Sequence, residues 1–120
     1  MDAIIKVDDK EVKFRATART PRLYRALTNR DLIKDINVLN KHFQQVQDDS
    51  DPLEALSTED LFIFENTAYV MARHANPEME AQTPDDWLDT FEIFSVWTVL
   101  PEILKLWHFN NVQTSKSKKK

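Results

Sequence analysis

The sequence predicts an α+β, mainly α-helical fold, with a small N-terminal β-hairpin packed on about four to five helices. Three observations carry this expectation. The 120 residues contain no glycine, where ordinary usage of about 7% would supply roughly eight. Tight β-turns lean on positive φ and therefore on glycine, so an all-β fold is disfavoured. Two short β-rich runs near the N-terminus alternate apolar and polar residues, and from residue 20 onward apolar residues recur at helical spacing behind recognisable helix starts.

The hairpin is expected over residues 3–15. Ala3–Val7 and Glu11–Arg15 flank Asp8-Asp9-Lys10, and Ile5, Val7, Val12 and Phe14 form one apolar face. An isolated hairpin is marginal, so this face should pack on helices. Helices are expected within residues 20–109. Thr20-Pro21 predicts a helix start with Thr as cap and Pro in the first turn. Leu23, Tyr24 and Leu27 would then face inward and Arg22 and Arg25 outward, with a break near Thr28-Asn29. A second helix starts near Arg30 or Asp31, and Leu32, Ile36, Leu39, Phe43 and Val46 make its apolar stripe. Gln47–Pro52 is expected to be a solvated loop. Without a glycine and a correctly spaced terminal Glu it does not fit a calcium loop.

Ser57-Thr58-Glu59-Asp60 predicts a capped start with acids at the positive end of the helix dipole. That helix should run to about Ala75, bury Leu61, Phe64, Ala68, Met71, Ala72 and Ala75, and end at Asn76-Pro77. Thr83-Pro84 repeats the cap-plus-Pro signal, followed by Trp87, Leu88, Phe91 and Phe94 at helical spacing. The apolar run Val96–Trp107 is expected to supply the central core helix through Leu100, Ile103, Leu104 and Trp107, with a kink or break at Pro101. Residues 1–110 are thus expected to form a single globular domain and residues 111–120 a flexible basic tail. Asn29, Asn40, Asn76 and Asn110 are the candidates for turn or helix-end positions at positive φ.

Composition narrows function by exclusion. A chain 42% hydrophobic and 30% charged is too apolar for full disorder. A Walker loop, a dinucleotide fingerprint and a nucleophile elbow all require glycine and are excluded. Without cysteine there is no disulfide framework and no thiolate metal site. The first residues lack the apolar stretch of a signal peptide, and no run reaches the roughly 18 apolar residues of a membrane span. The expectation is a protein that stays inside the cell that makes it, with no membrane contact.

The net charge of −4 conceals a segregation. Residues 1–47 carry ten Lys and Arg against six Asp and Glu, residues 48–109 two against fourteen, and residues 110–120 four Lys and no acid. The two halves either pack against each other within one fold or meet head to tail between copies, which would be self-association.

No catalytic constellation is evident. His42, His74 and His108 match no metal spacing and are expected to be structural or solvated. Asp85, Asp86 and Asp89 form an acidic cluster and, as first-turn acids, already have a helix-dipole role. Glu65 lies in an apolar helix, either as a buried acid with a raised pKa or as a solvated or Arg-paired one. The chain is expected to be no enzyme and to need no cofactor or metal. Arg15, Arg19, Arg22, Arg25 and Arg30 are the strongest local feature. They form either a docking surface for an acidic protein partner or a solvated face paired with the acidic half. Nucleic acid is not expected, since the chain is acidic overall, with a pI near 5.3, and shows no recognised module. Trp87, Phe91, Phe94, Trp97, Trp107 and Phe109 are expected to be core, with one or two rings exposed as docking anchors.

Several blocks resemble one protein family. Lys13-Phe14-Arg15-Ala16-Thr17-Ala18-Arg19-Thr20-Pro21-Arg22-Leu23-Tyr24-Arg25 and Asp31-Leu32-Ile33-Lys34-Asp35 look like the opening of tail assembly chaperones of long-tailed phages or prophages of Gram-positive bacteria. Phe64–Ala75 is similar to that family's central helix, and Asp86–Phe91 with Val99–Trp107 resembles its C-terminal part. The resemblance spans nearly the whole chain in order, and the family has no catalytic residues to carry over. It implies a protein that binds the tape-measure protein, keeps it soluble, helps bring tail-tube subunits to it in the host cytoplasm, and leaves before the virion is complete. It also implies a longer product made by ribosomal frameshifting, with which Lys118-Lys119-Lys120 is compatible through an A-rich slippery stretch. The alternative is a structural tail component or helical adaptor retained in the finished complex.

Overall fold

A computed structural model describes residues 1–48, 56–92, 94 and 98–107, and the side chains among them except those of residues 43–48. Strand β1 (Asp2–Val7) pairs antiparallel with β2 (Lys10–Arg15), in a register running from Val7–Lys10 to Asp2–Arg15. Asp8 and Asp9 connect them, both at positive φ, 53° and 64°. A two-residue hairpin turn of the primed type needs positive φ at both central positions, and aspartate tolerates it better than most residues with a Cβ. This is how a glycine-free chain turns its hairpin. Of the four asparagines expected at positive φ, only Asn29 adopts it, at 61°. Asn40 lies inside a helix, Asn76 has φ −137°, and Asn110 falls outside the described residues.

The mainly helical α+β architecture is as the sequence predicts. Helix α1 spans Thr20–Thr28, α2 Leu32–Asp48, α3 Thr58–Ala75 and α4 Pro84–Leu88, and residues 98–107 are helical and are called α5 here. Helix α2 extends through Asp48, beyond the start of the loop expected at Gln47. The rest of that loop, like the tail 111–120, His108, Trp97 and Phe109, lies outside the described residues.

Helix α1 is not capped by Thr20. The N-cap is Arg19, which gives no side-chain cap, and Thr20 is the first helical residue, fully buried. Its hydroxyl accepts from the backbone N–H of Thr17 at 2.7 Å instead, bracing the chain as it leaves β2. Helix α3 is capped as its sequence predicts. Ser57 Oγ accepts from Asp60 N–H while the Asp60 carboxylate accepts from Ser57 N–H, each at 3.0 Å. Thr83 caps α4 by accepting from Asp86 N–H at 3.1 Å, but that helix lasts only five residues. Helix α5 runs unbroken from 98 to 107, so no break falls at Pro101.

Helix α3 lies at the centre of the fold, and α5 contributes buried Leu100, Ile103, Leu104 and Trp107 to the core as expected. Helix α3 packs against β2, α1, α2 and α4, and residues 66–72 are buried without interruption. A helix surrounded on most sides has no polar face to show. At its start the covered arc is Asp60, Ile63 and Phe64, whereas Leu61, expected inward, is exposed. The reason is the docking of α2. His42 Nδ1 sits 2.9 Å from the Asp60 carboxylate and turns that side of α3 toward α2. Ala75 is only half-buried.

One continuous buried cluster draws on the hairpin through Ile5, Val7 and Phe14, on the three long helices, and on α5 through Val99, Leu100, Ile103 and Trp107. Trp87 joins these layers. Its ring meets Phe14 at 6.3 Å, Tyr69 at 5.9 Å and both Phe91 and Phe94 at 5.2 Å, mostly edge to face. The hairpin tip is also anchored by polar contacts. Lys10 Nζ donates to Thr90 C=O at 2.7 Å, and the Asp8 carboxylate accepts from Glu92 N–H at 2.9 Å. Among the described residues no buried side-chain nitrogen or oxygen lacks a hydrogen-bond partner, and no helix is long and apolar enough to cross a membrane.

Candidate functional site

The five arginines separate into two groups by what lies within their reach. Arg15, at the end of β2, faces Asp2 across the hairpin. Its Nε and Nη2 donate to the two carboxylate oxygens at 2.8 and 3.0 Å, and Lys13 Nζ stands 3.5 Å away. The Arg15 hydrogen bonds hold the Asp2 carboxyl down at about 2, and Asp2 in turn pushes the guanidinium up. Arg30, in the turn between α1 and α2, reaches Asp35 in the first turns of α2. Nε and Nη2 donate to its two oxygens at 2.8 and 3.1 Å. Asp35 is buried and also accepts from the Tyr24 hydroxyl at 2.7 Å. Burial, followed by that hydrogen bond, pushes the Tyr24 phenol upward, and Asp35 does the same to Arg30. A carboxylate that fixes a helix, the turn before it and a buried tyrosine is a structural hub. Arg15 and Arg30 are therefore engaged within the fold.

Arg19, Arg22 and Arg25 differ. They follow one another at a spacing of three along α1, all exposed, and among the described residues no guanidinium of the three has a hydrogen bond or ion pair. Arg25, in the last turn, suits the negative end of the helix dipole. Arg19 and Arg22 stand at the positive end, where the first turn has no acid and cations are unfavourable by a few tenths of a kcal/mol. Like charges at this spacing add a similar cost. Helix stability thus does not account for the ridge. Its first arginine borders His74, half-buried near the end of α3, with Nδ1 3.4 Å from the Thr20 hydroxyl. Burial, then the charges of Arg19 and Arg15, lower the His74 pKa.

Among the described residues the acidic half does little to neutralise the basic one. Among the described residues only Arg30–Glu59, at 3.7 Å, and His42–Asp60 join residues 1–47 to residues 48–109 as ion pairs. Glu65 is half-buried with no ion pair among the described residues. Burial, with Asp85 second, raises its pKa, so it is the acid of raised pKa and not an Arg-paired one. Among the described residues no group of His, Asp and Glu is placed to hold a metal ion. The singled-out aromatics that are described are buried or half-buried. Among the described residues the exposed ring is Phe62, 52% accessible on α3, which sequence spacing does not single out.

A groove of about 630 Å³ lies beside β2. Its walls are Glu11, Val12 and Lys13 on one side and Ala72, Met79 and Trp87 among those opposite, with Glu78 and Glu80 at the rim. No sequence signal marks it, because its sides come from three segments brought together only by folding. No family model, no curated protein and no solved structure matches this chain.

Proposed function

We propose that this chain is a tail assembly chaperone of a long-tailed phage or prophage. It binds the tape-measure protein and helps recruit tail-tube subunits in the cytoplasm of the bacterial host, without catalysis and without entering the mature virion. The observation that carries the reading is the α1 ridge. Three exposed arginines with no partner among the described residues, two of them at the wrong end of a helix dipole, support a surface kept for a partner rather than for the fold. Together with the block-by-block resemblance of the sequence, this favours an acidic protein segment as ligand. A rim of exposed guanidinium groups gives contacts that form fast and release readily, as a helper that must leave requires. The docking set is thus narrowed from five arginines to Arg19, Arg22 and Arg25.

The test is co-expression of this chain with the tape-measure protein encoded in the same genome, followed by affinity capture. The tape measure should become soluble and co-purify, and Arg19→Glu with Arg22→Glu should abolish most of that recovery while the far-UV and thermal profiles stay unchanged. A tape measure that remains insoluble beside the wild-type chain refutes the reading. Detection of the chain in purified virions would instead favour a structural component of the tail.

A further inference from the structure

We infer that the free edge of β2 is a second docking site, which takes an extended peptide segment of a partner protein, apolar residues alternating with lysine or arginine, as a third strand. The site is separate from the arginine ridge and does not depend on its role. Among the described residues the sheet has two strands, so β2 has a strand neighbour on one side only. Met1 and Ala16 exchange both backbone hydrogen bonds, at 2.9 and 2.8 Å, which sets the phase of the ladder. Ala3–Phe14, Ile5–Val12 and Val7–Lys10 are then the bonded pairs, and the N–H and C=O groups of Glu11, Lys13 and Arg15 point away from β1. No described residue takes them up.

The groove lies along this edge. It touches Glu11, Val12 and Lys13 in sequence, so it runs along the strand where the Glu11 and Lys13 backbone groups point away from β1. Its volume falls in the range of ligand pockets, and Val12, Ala72, Met79, Ala81 and Trp87 give it an apolar wall. The rim carries Glu11, Glu78 and Glu80 against Lys13, and Lys13 already lies 3.5 Å from Asp2. Lys10 and Arg73 are held on the Thr90 and Ala81 carbonyls of the lining, so it is the three carboxylates, and not a net charge, that suit basic side chains. Strand addition takes affinity from main-chain hydrogen bonds and specificity from pockets for alternate side chains, and both components are present here. The edge has neither proline nor a bulge; its protection against indiscriminate pairing is the charge on Glu11, Lys13 and Arg15.

The experiment uses the full chain and a short labelled peptide of alternating valine and lysine, with amide hydrogen exchange read by NMR. Binding should slow exchange at Glu11 and Lys13. A peptide N-methylated at alternate residues, which cannot donate to the edge, should bind about tenfold more weakly, as expected for one or two lost hydrogen bonds. Glu78→Lys with Glu80→Lys should weaken the lysine peptide several-fold, and Arg19→Glu with Arg22→Glu should leave it bound, which keeps this site distinguishable from the ridge. No binding, equal binding of the methylated peptide, or protection confined to α1 would overturn the inference. So would protection of Glu11 and Lys13 that rises with protein concentration in the absence of peptide, since the edge would then pair with a second copy.

Discussion

Arg25 closes α1 and Arg30 opens the way into α2, yet one has no partner among the described residues and the other is built into the fold. Nothing in the residue type separates them. What separates them is whether a carboxylate lies within reach: Asp35, buried and already bound to Tyr24, receives Arg30 through both oxygens, whereas the outer face of α1 looks onto no acid among the described residues. The comparison teaches that a run of arginines must be sorted by its partners before it is called a surface. A charge held by a buried carboxylate cannot also greet a partner without leaving that carboxylate uncompensated.

The sharpest way to break the comparison is at its buried end. Asp35→Ala removes the acceptor of two Arg30 hydrogen bonds and the acceptor of the Tyr24 hydroxyl proton in the core. The loss should be about 2–4 kcal/mol, the range for a broken, mostly buried charge pair plus a lost hydroxyl hydrogen bond, read from the urea denaturation midpoint. Asp35→Asn keeps one acceptor for the tyrosine and should lose less. A change below about 1 kcal/mol would mean that Asp35 does not hold the α1–α2 turn, and Arg30 would rejoin the candidate surface.

How much of this was legible beforehand follows the same division between local and non-local causes. The hairpin could be read because alternation and β-branched residues are local, and Ser57 and Thr83 because a cap and the N–H it receives lie within one turn. The aspartates at positive φ were harder, since Asp8-Asp9 lacks the glycine that usually marks such a turn. Periodicity places Leu61 inward, whereas the structure exposes it, because the His42–Asp60 contact that holds this side of α3 on α2 joins residues far apart in sequence. Burial through Asn66, Thr67 and Tyr69 was missed for a related cause: a helix packed on by four other elements has no polar stripe for periodicity to find. The groove beside β2 was invisible for that reason as well. Of the arginine set, the spacing identified the ridge, but only folding showed that Asp2 and Asp35 occupy the outer two.

Acid should separate the paired arginine of the hairpin from the rest. The Asp2 carboxyl lies at about 2 in the fold against 3.8 ordinarily. A lowered pKa contributes stability that is complete above the unfolded value and disappears as pH falls toward the folded one. Wild type should therefore exceed Asp2→Asn by a small constant margin above about pH 5, and the margin should vanish near pH 2. High salt should shrink it, because the pair is exposed. Glu65 has the opposite sign. Its pKa is raised above 4.5 by burial and then by Asp85, so the folded state holds its proton longer, and the benefit is lost as pH rises through the folded value. Glu65→Gln should give a slightly more stable protein at neutral pH and no gain near pH 3. A loss at neutral pH would show that Glu65 is paired after all.

The smallest effect is the one that tests the free end of the comparison. Arg19→Ala, Arg22→Ala and Arg25→Ala each remove an exposed guanidinium with no partner among the described residues, so each should change stability by less than about 0.5 kcal/mol. The signs should nevertheless differ. Arg22→Ala relieves a cation at the positive end of α1 and its repulsion from Arg19 and Arg25, and should leave the protein level or slightly more stable. Arg25→Ala removes a favourable charge at the negative end and should cost a few tenths of a kcal/mol. Arg19→Ala also lifts one of the charges that depress His74, so the imidazole titration followed by NMR should move upward, while Arg25→Ala leaves it in place. If Arg22→Ala instead destabilises by more than about 1 kcal/mol, that arginine has an intramolecular partner, and the ridge would be part of the fold's own charge pairing and not a surface held in reserve.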